Sequence, residues 1–221
     1  MIKLRNISKD FNDGSKDVTV LKPTTLTINR NEFTAIIGPS GSGKSTLLTI
    51  IGALQTPTEG DLYIDGTDVL SLTENKRSDL RFNSIGFVLQ GSNLVPYLTL
   101  YEQFEFKLKQ AKQKNMKNKI NEMFDQFDIS HIKHKYPEEI SGGERQRAAI
   151  GLALLLEPKI LLTDEPTASL DTEKAYQVVE TLKQVSTELN TAVVMVTHDN
   201  RMLEYCDRIL EIEDGVLKEK I

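Results

Sequence analysis

Residues Gly38-Pro39-Ser40-Gly41-Ser42-Gly43-Lys44-Ser45 constrain this chain more than any other segment. Their spacing, G-x-x-x-x-G-K-[ST], works only at a strand-to-helix turn, and the flanking sequence supplies both elements. Phe33-Thr34-Ala35-Ile36-Ile37 reads as a strand buried in a parallel sheet, and Leu47, Leu48, Ile51 and Leu54 recur afterwards at helical spacing. Without Cβ atoms, Gly41 and Gly43 let the backbone curl so that several N–H donors converge, and the positive end of the following helix adds to the attraction for an anion. Phosphate is the implied ligand. Gly38 to Ser45 would cradle a nucleoside triphosphate, with Lys44 reaching its β- and γ-phosphates and Ser45 ligating Mg2+.

Length and composition narrow the class. A chain of 221 residues with 39% apolar content accommodates one large α/β domain, or one with a small inserted lobe, and no second catalytic domain. The net charge of −5 gives no basic footprint, so nucleic acid is not expected as a partner. A single cysteine, Cys206, excludes an internal disulfide and is expected to pack as a small apolar residue. No leader-like segment precedes the first strand, so a cytosolic location is expected. The longest apolar run, residues 148–156, reaches less than half of the ~20 residues that cross a bilayer as a helix.

Along the chain, Ile2–Ile7 and Leu26-Thr27-Ile28 alternate as strands with one wet face, separated by the polar turn Asn12-Asp13-Gly14-Ser15. Pro57-Thr58-Glu59-Gly60 ends the first helix, and Asp65-Gly66 follows the short strand at residues 61–64 as a hairpin turn. Between residues 91 and 140 the β signal fades. Met116, Ile120, Met123, Phe124 and Phe127 keep one helical face apolar, while Lys107, Lys109, Lys112, Lys114, Lys117 and Lys119 run without an intervening acid and are expected to form a solvated face. The α/β rhythm then resumes: a helix over 143–156, a strand over 160–163, a helix over 172–189, a strand over 192–197 and a closing hairpin over 208–217.

The strand at 160–163 ends in Asp164-Glu165, two carboxylates at the edge of a parallel sheet where ligands bind. Asp164 would hold the Mg2+ shell, while Glu165 would polarise the water that attacks the γ-phosphate. Ser141-Gly142-Gly143-Glu144-Arg145-Gln146-Arg147 offers a second anion site, a hydroxyl and two glycines opening a helix whose first N–H groups have no partner. His131 and His134 lack the acidic or thiol neighbours of a metal cage and read as surface residues.

Taken together these motifs resemble an ATP-binding cassette ATPase over essentially the whole chain. Ile140-Ser141-Gly142-Gly143-Glu144 resembles the signature motif, with Ile140 and Glu144 where leucine and glutamine are usual; Ser169-Leu170-Asp171 resembles the D-loop. The resemblance implies an α/β P-loop NTPase core with an antiparallel β subdomain (residues 1–90 and 141–221) and an inserted α-helical subdomain (91–140). Further roles follow from it: Gln90 as the glutamine of the flexible loop and a Mg2+ ligand, His198 as the switch histidine holding the catalytic water with Glu165, and Phe11 stacking on adenine.

The resemblance also implies a head-to-tail homodimer that clamps ATP between Gly38–Thr46 of one copy and Ser141–Gly143, with Glu144, of the other. An integral membrane permease, docked in a groove beside the helical insertion, would place the chain peripherally on the cytoplasmic face of the membrane. The runs at residues 91–102 and 163–171 look like the lipoprotein-releasing and macrolide-exporting branch, which includes haem and antimicrobial-peptide exporters. Transport, with export favoured over uptake, is the first reading; a non-transport cassette that regulates cell-wall remodelling through a membrane partner is the alternative.

Overall fold

The computed structural model describes residues 1–221 except Asp13, Ser15, Lys16, Gln90, Ser92, Ser169 and Ile221. In chain order its elements are β1 (Ile2–Asn12), β2 (Asp17–Ile28), β3 (Phe33–Ile37), α1 (Lys44–Ile51), β4 (Glu59–Ile64), β5 (Thr67–Asp68), α2 (Glu74–Ser84), β6 (Ile85–Val88), α3 (Leu100–Gln110), α4 (Met116–Gln126), α5 (Gly142–Leu154), β7 (Ile160–Asp164), α6 (Thr172–Glu188), β8 (Ala192–Val196), β9 (Arg208–Glu213) and β10 (Val216–Lys220).

Two sheets organise the molecule. An antiparallel sheet runs β2-β1-β4-β5, and a six-stranded sheet runs β10-β9-β3-β8-β7-β6, parallel throughout except for the β9–β10 hairpin. The central strands β3 and β8 are buried at every residue, which explains their continuous apolar character: each has a core on both faces. Successive side chains nevertheless alternate between two cores. Phe33, Ala35, Leu161, Val193 and Met195 join the helices α3 to α6, whereas Ile36, Leu162, Val194 and Val196 join α1 and the antiparallel sheet.

The helical insertion is stitched into the first of these cores. Phe104 and Phe124 meet edge to face at 4.8 Å between ring centres, and both belong to one cluster with Phe127, Ala148 and Ile150. Gly151 sits close beneath them: a Cβ there would lie 3.1 Å from the Phe127 ring, which would have to shift by a few tenths of an ångström. Thr99 opens α3 with a capping box: its hydroxyl accepts from the Glu102 N–H, and the Glu102 carboxylate accepts from the Thr99 N–H at 2.8 Å.

Several boundaries differ from expectation. The helix expected over 143–156 spans Gly142–Leu154, and the strand expected over 192–197 stops at Val196. Helix α2 has no buried residue; it rests on the core through partly buried Leu80 and an Arg81 bond to Ala53 O at 2.9 Å, with Glu74 pairing along the helix with Arg81 at 2.7 Å and Arg77 at 3.6 Å, and apolar periodicity gives no sign of it.

The lysine run is not uniformly a solvated face. Lys119 pairs with Glu157 at 2.7 Å, and Lys107 turns inward to donate to the carbonyls of Leu152 at 2.6 Å and Ala153 at 3.3 Å. Those carbonyls belong to the last turn of α5, where the helix leaves acceptors unpaired and its dipole favours a cation.

Candidate functional site

Parallel pairing brings the chemical residues to one edge. Ile36 pairs with Val196, and Val196 with Asp164, so the chain segments that follow β3, β8 and β7 leave the sheet side by side at its C-terminal edge. Backbone bonds hold the exits in place: Thr197 N–H donates to Ile36 O at 3.2 Å and Glu165 N–H to Val196 O at 2.9 Å. Among them lies a cleft of about 610 Å³, lined by Phe11, Gly38, Ser40, Gly41, Gly43, Lys44, Ser45, Thr46, Asp164, Glu165 and His198. Val20, Ala168 and Val196 also line it; sequence reasoning assigns none of them a role at the site.

The glycine loop has the predicted curl. Gly38, Gly41 and Gly43 have φ of 146°, 78° and 106°, and space forbids a side chain at two of them: a Cβ on Gly38 would lie 2.1 Å from Ile212 O, and one on Gly43 would lie 2.7 Å from Val20 O. Lys44 Nζ donates to Gly38 O at 2.8 Å and Pro39 O at 2.7 Å, bracing the loop from inside. Ser42 is buried and closes the turn with an N–H to Pro39 O bond of 3.3 Å.

Ser45 Oγ donates to Asp164 Oδ2 at 3.1 Å, joining the loop to the end of β7. Burial, with the adjacent Glu165 charge, pushes the Asp164 carboxyl above its ordinary pKa against the opposing pull of Ser45 and Lys44. A hydroxyl beside a desolvated pair of carboxylates is an all-oxygen donor set that fits a hard cation such as Mg2+. Glu165 stands at φ 50°, in the left-handed region, a strained setting found often at functional positions. Its Oε2 lies 2.8 Å from His198 Nδ1 without hydrogen-bond alignment and has no other partner among the described residues. Gln90 lies outside the described residues, as does Ser169.

Phe11, near the end of β1, is exposed at the lip of the cleft, and Lys9 Nζ sits 5.2 Å from its ring centre. Its aromatic face is therefore not used in core packing. Ser141, Gly142, Gly143 and Glu144 do not line this cleft. They form the start of α5, where Ser141 is the N-cap in a second capping box: its hydroxyl accepts from Glu144 N–H at 3.3 Å, and Glu144 Oε2 accepts from both Ser141 N–H and Oγ–H.

His131, read from sequence as a surface residue, has a definite partner. Its Nε2 is 2.9 Å from Glu144 Oε1. The Ser141 bonds, assisted by His131, hold the Glu144 carboxyl down at about 2. Cys206 is half-buried, and burial pushes its thiol up to about 12, consistent with packing.

A family model described as ABC transporter matches residues 21–168. The chain is similar to "Putative hemin import ATP-binding protein HrtA" of Staphylococcus haemolyticus, at 44% identity over 219 residues that cover 98% of this chain and 99% of the relative. The protein of the same name from Staphylococcus aureus strain MRSA252 is 40% identical, with 96% of each chain covered. Among solved structures, a dimeric post-hydrolysis state of the ATP-binding cassette MJ0796 bound to ADP and Pi superposes with a TM-score of 0.90 at 36% identity, covering 99% of this chain and 98% of the other. The CbiO1 protein of Clostridium perfringens gives a TM-score of 0.88 at 28% identity, covering 98% and 86%. With the family model over most of the chain and full-length relatives well above 30% identity, this chain belongs to the ABC transporter family, as an ATP-binding subunit that hydrolyses ATP.

Proposed function

We propose that two copies of the chain clamp two ATP molecules head to tail and that hydrolysis reopens the pair to drive a membrane permease. The observation that carries this reading is the separation within one copy. The cleft gathers Lys44, Ser45, Asp164, Glu165 and His198, while the Ser141 tip of α5 is absent from its lining. A twofold pair supplies the tip from the other copy and produces two equal composite sites.

In each site the loop Gly38–Thr46, including Pro39, Ser40 and Ser42, encloses the phosphates, and Lys44 exchanges its two loop carbonyls for phosphate oxygens. Ser45, Asp164 and Gln90 would hold Mg2+, which supplies charge neutralisation on the phosphates when bound. Glu165 accepts the proton of the attacking water, and His198, already beside it, holds that water and the γ-phosphate in line. Phe11 stacks on the base, its exposed face being available for it. From the partner copy, Ser141 donates its hydroxyl, and Gly142 and Gly143 expose backbone N–H groups to the γ-phosphate; Glu144 caps that tip.

On this reading the permease holds the chain at the cytoplasmic face of the membrane; no helix among the described residues is long and apolar enough to cross a bilayer. The relatives' name points to hemin as the cargo. That name says import; the runs at 91–102 and 163–171, which resemble the exporting branch, support export. Inverted membrane vesicles carrying both subunits test cargo and direction together. ATP-dependent hemin accumulation inside them is the expected result, and ATP-dependent loss of preloaded hemin would establish uptake instead.

A further inference from the structure

Two adjoining hollows of about 410 and 220 Å³ share Phe82, Asn93, Lys107 and Leu152 and make one groove between α2, α3 and α5. Its rim is apolar and open, with Leu54, Phe82 and Phe106 respectively 51%, 37% and 58% exposed. Among the described residues no acidic one lines either hollow, although the whole chain carries a net charge of −5.

Of the two cations in the lining, Arg81 is already satisfied by Ala53 O at 2.9 Å and Glu74 at 2.7 Å. Lys107 has carbonyl acceptors only, at 2.6 and 3.3 Å, and no carboxylate within ion-pair distance among the described residues. An ammonium carries three donors, so one remains. Burial already pushes Lys107 down to about 8. A helix laid across the groove would remove the remaining water from this cation, and a buried charge without a counter-charge is strongly unfavourable. A carboxylate on the occupant would supply the full counter-charge that the α5 carbonyls provide only in part.

Resting on the permease-docking reading above, we propose that Lys107 is the recognition point of this groove, receiving an Asp or Glu carboxylate set within the apolar face of an amphipathic helix of the permease. Leu54, Phe82 and Phe106 grip the apolar residues on either side, and Lys107 fixes which helix is accepted and in which register. The α5 carbonyls hold the ammonium in place before the helix arrives.

The test uses the complex with the membrane subunit that co-purifies in detergent. Lys107→Met and Lys107→Glu should weaken its affinity for the cassette about 30-fold or more, the range for breaking a buried charge pair, while ATP binding by the isolated cassette stays unchanged. Lys107→Arg should retain most of the affinity, and exchanging the permease carboxylate for lysine should rescue Lys107→Glu. Phe106→Asp is the control for docking itself.

If Phe106→Asp disrupts the complex while Lys107→Met and neutralisation of each carboxylate on the docked helix leave it intact, the Lys107 assignment is overturned and docking stands. If none of these changes alters assembly, or no membrane subunit is recovered, the docking reading falls and the assignment with it. A lowered melting temperature for Lys107→Met with undiminished permease affinity would reduce Lys107 to a helix cap, again overturning the proposal.

Discussion

Glu144 closes on Ser141 within a single chain: its Oε2 accepts from the serine N–H at 2.8 Å and from the serine hydroxyl at 2.7 Å. The hydroxyl proton of Ser141 is thus engaged by the chain's own carboxylate. The bonds that hold it are also a source of stability, because they favour the ionised form in the folded state only.

The sign of the resulting pH dependence is fixed. Glu144 has a folded pKa lowered from 4.5 to about 2, so its contribution is complete above the unfolded value and is lost as pH falls from 4.5 toward 2. Urea midpoints measured across that window should fall less steeply with acid for Glu144→Gln than for the parent chain. Equal slopes would show that the capping carboxylate gives no differential stability.

Ser141→Ala should cost about 1 kcal/mol of stability through loss of the N-cap and impair ATP turnover while leaving nucleotide affinity of the single copy nearly unchanged. Calorimetric binding and steady-state turnover separate the two effects. A matching loss in both would place Ser141 on the same nucleotide as Lys44 of its own chain.

Glu165→Gln should still bind ATP but hydrolyse it about 100-fold more slowly or worse, the range for loss of a general base. Lys44→Ala fails differently. It removes the brace to Gly38 O and Pro39 O as well as the phosphate contact, so binding itself should drop by about tenfold or more, as for a hydrogen bond to a charged group. Titration with a fluorescent ATP analogue distinguishes them, and wild-type turnover in Glu165→Gln would remove that residue from the reaction.

The fold's centre was readable in sequence because its signals are local and dense. The glycine loop, Asp164-Glu165 and the Ser141 helix start each carry backbone geometry that few other sequences satisfy, and the structure draws the first two into one cleft. Helix α2 was not readable, since a helix with no buried residue leaves no apolar period. The inward turn of Lys107 was also hidden: its acceptors lie 45 and 46 residues away in sequence. The His131–Glu144 contact spans 13 residues, from the segment after α4 to the first turn of α5, and nothing in the composition of either segment announces it.

Gly38→Ala offers a test of the loop that is independent of catalysis. Its Cβ would lie 2.1 Å from Ile212 O with φ at 146°, so β3 and β9 would have to part. Destabilisation of at least ~2 kcal/mol is expected from such strain, read as a lower thermal midpoint. Gly41→Ala meets nothing within 4 Å and should be milder.

Mixing two inactive chains tests the shared site most directly. Lys44→Ala disables the loop of its own copy, and Ser141→Arg disables the tip offered to the other. A mixed pair contains one site with both halves intact, so ATPase activity should appear, in complex with the permease, that neither variant shows alone. A mixture as inactive as its two components would contradict the head-to-tail clamp.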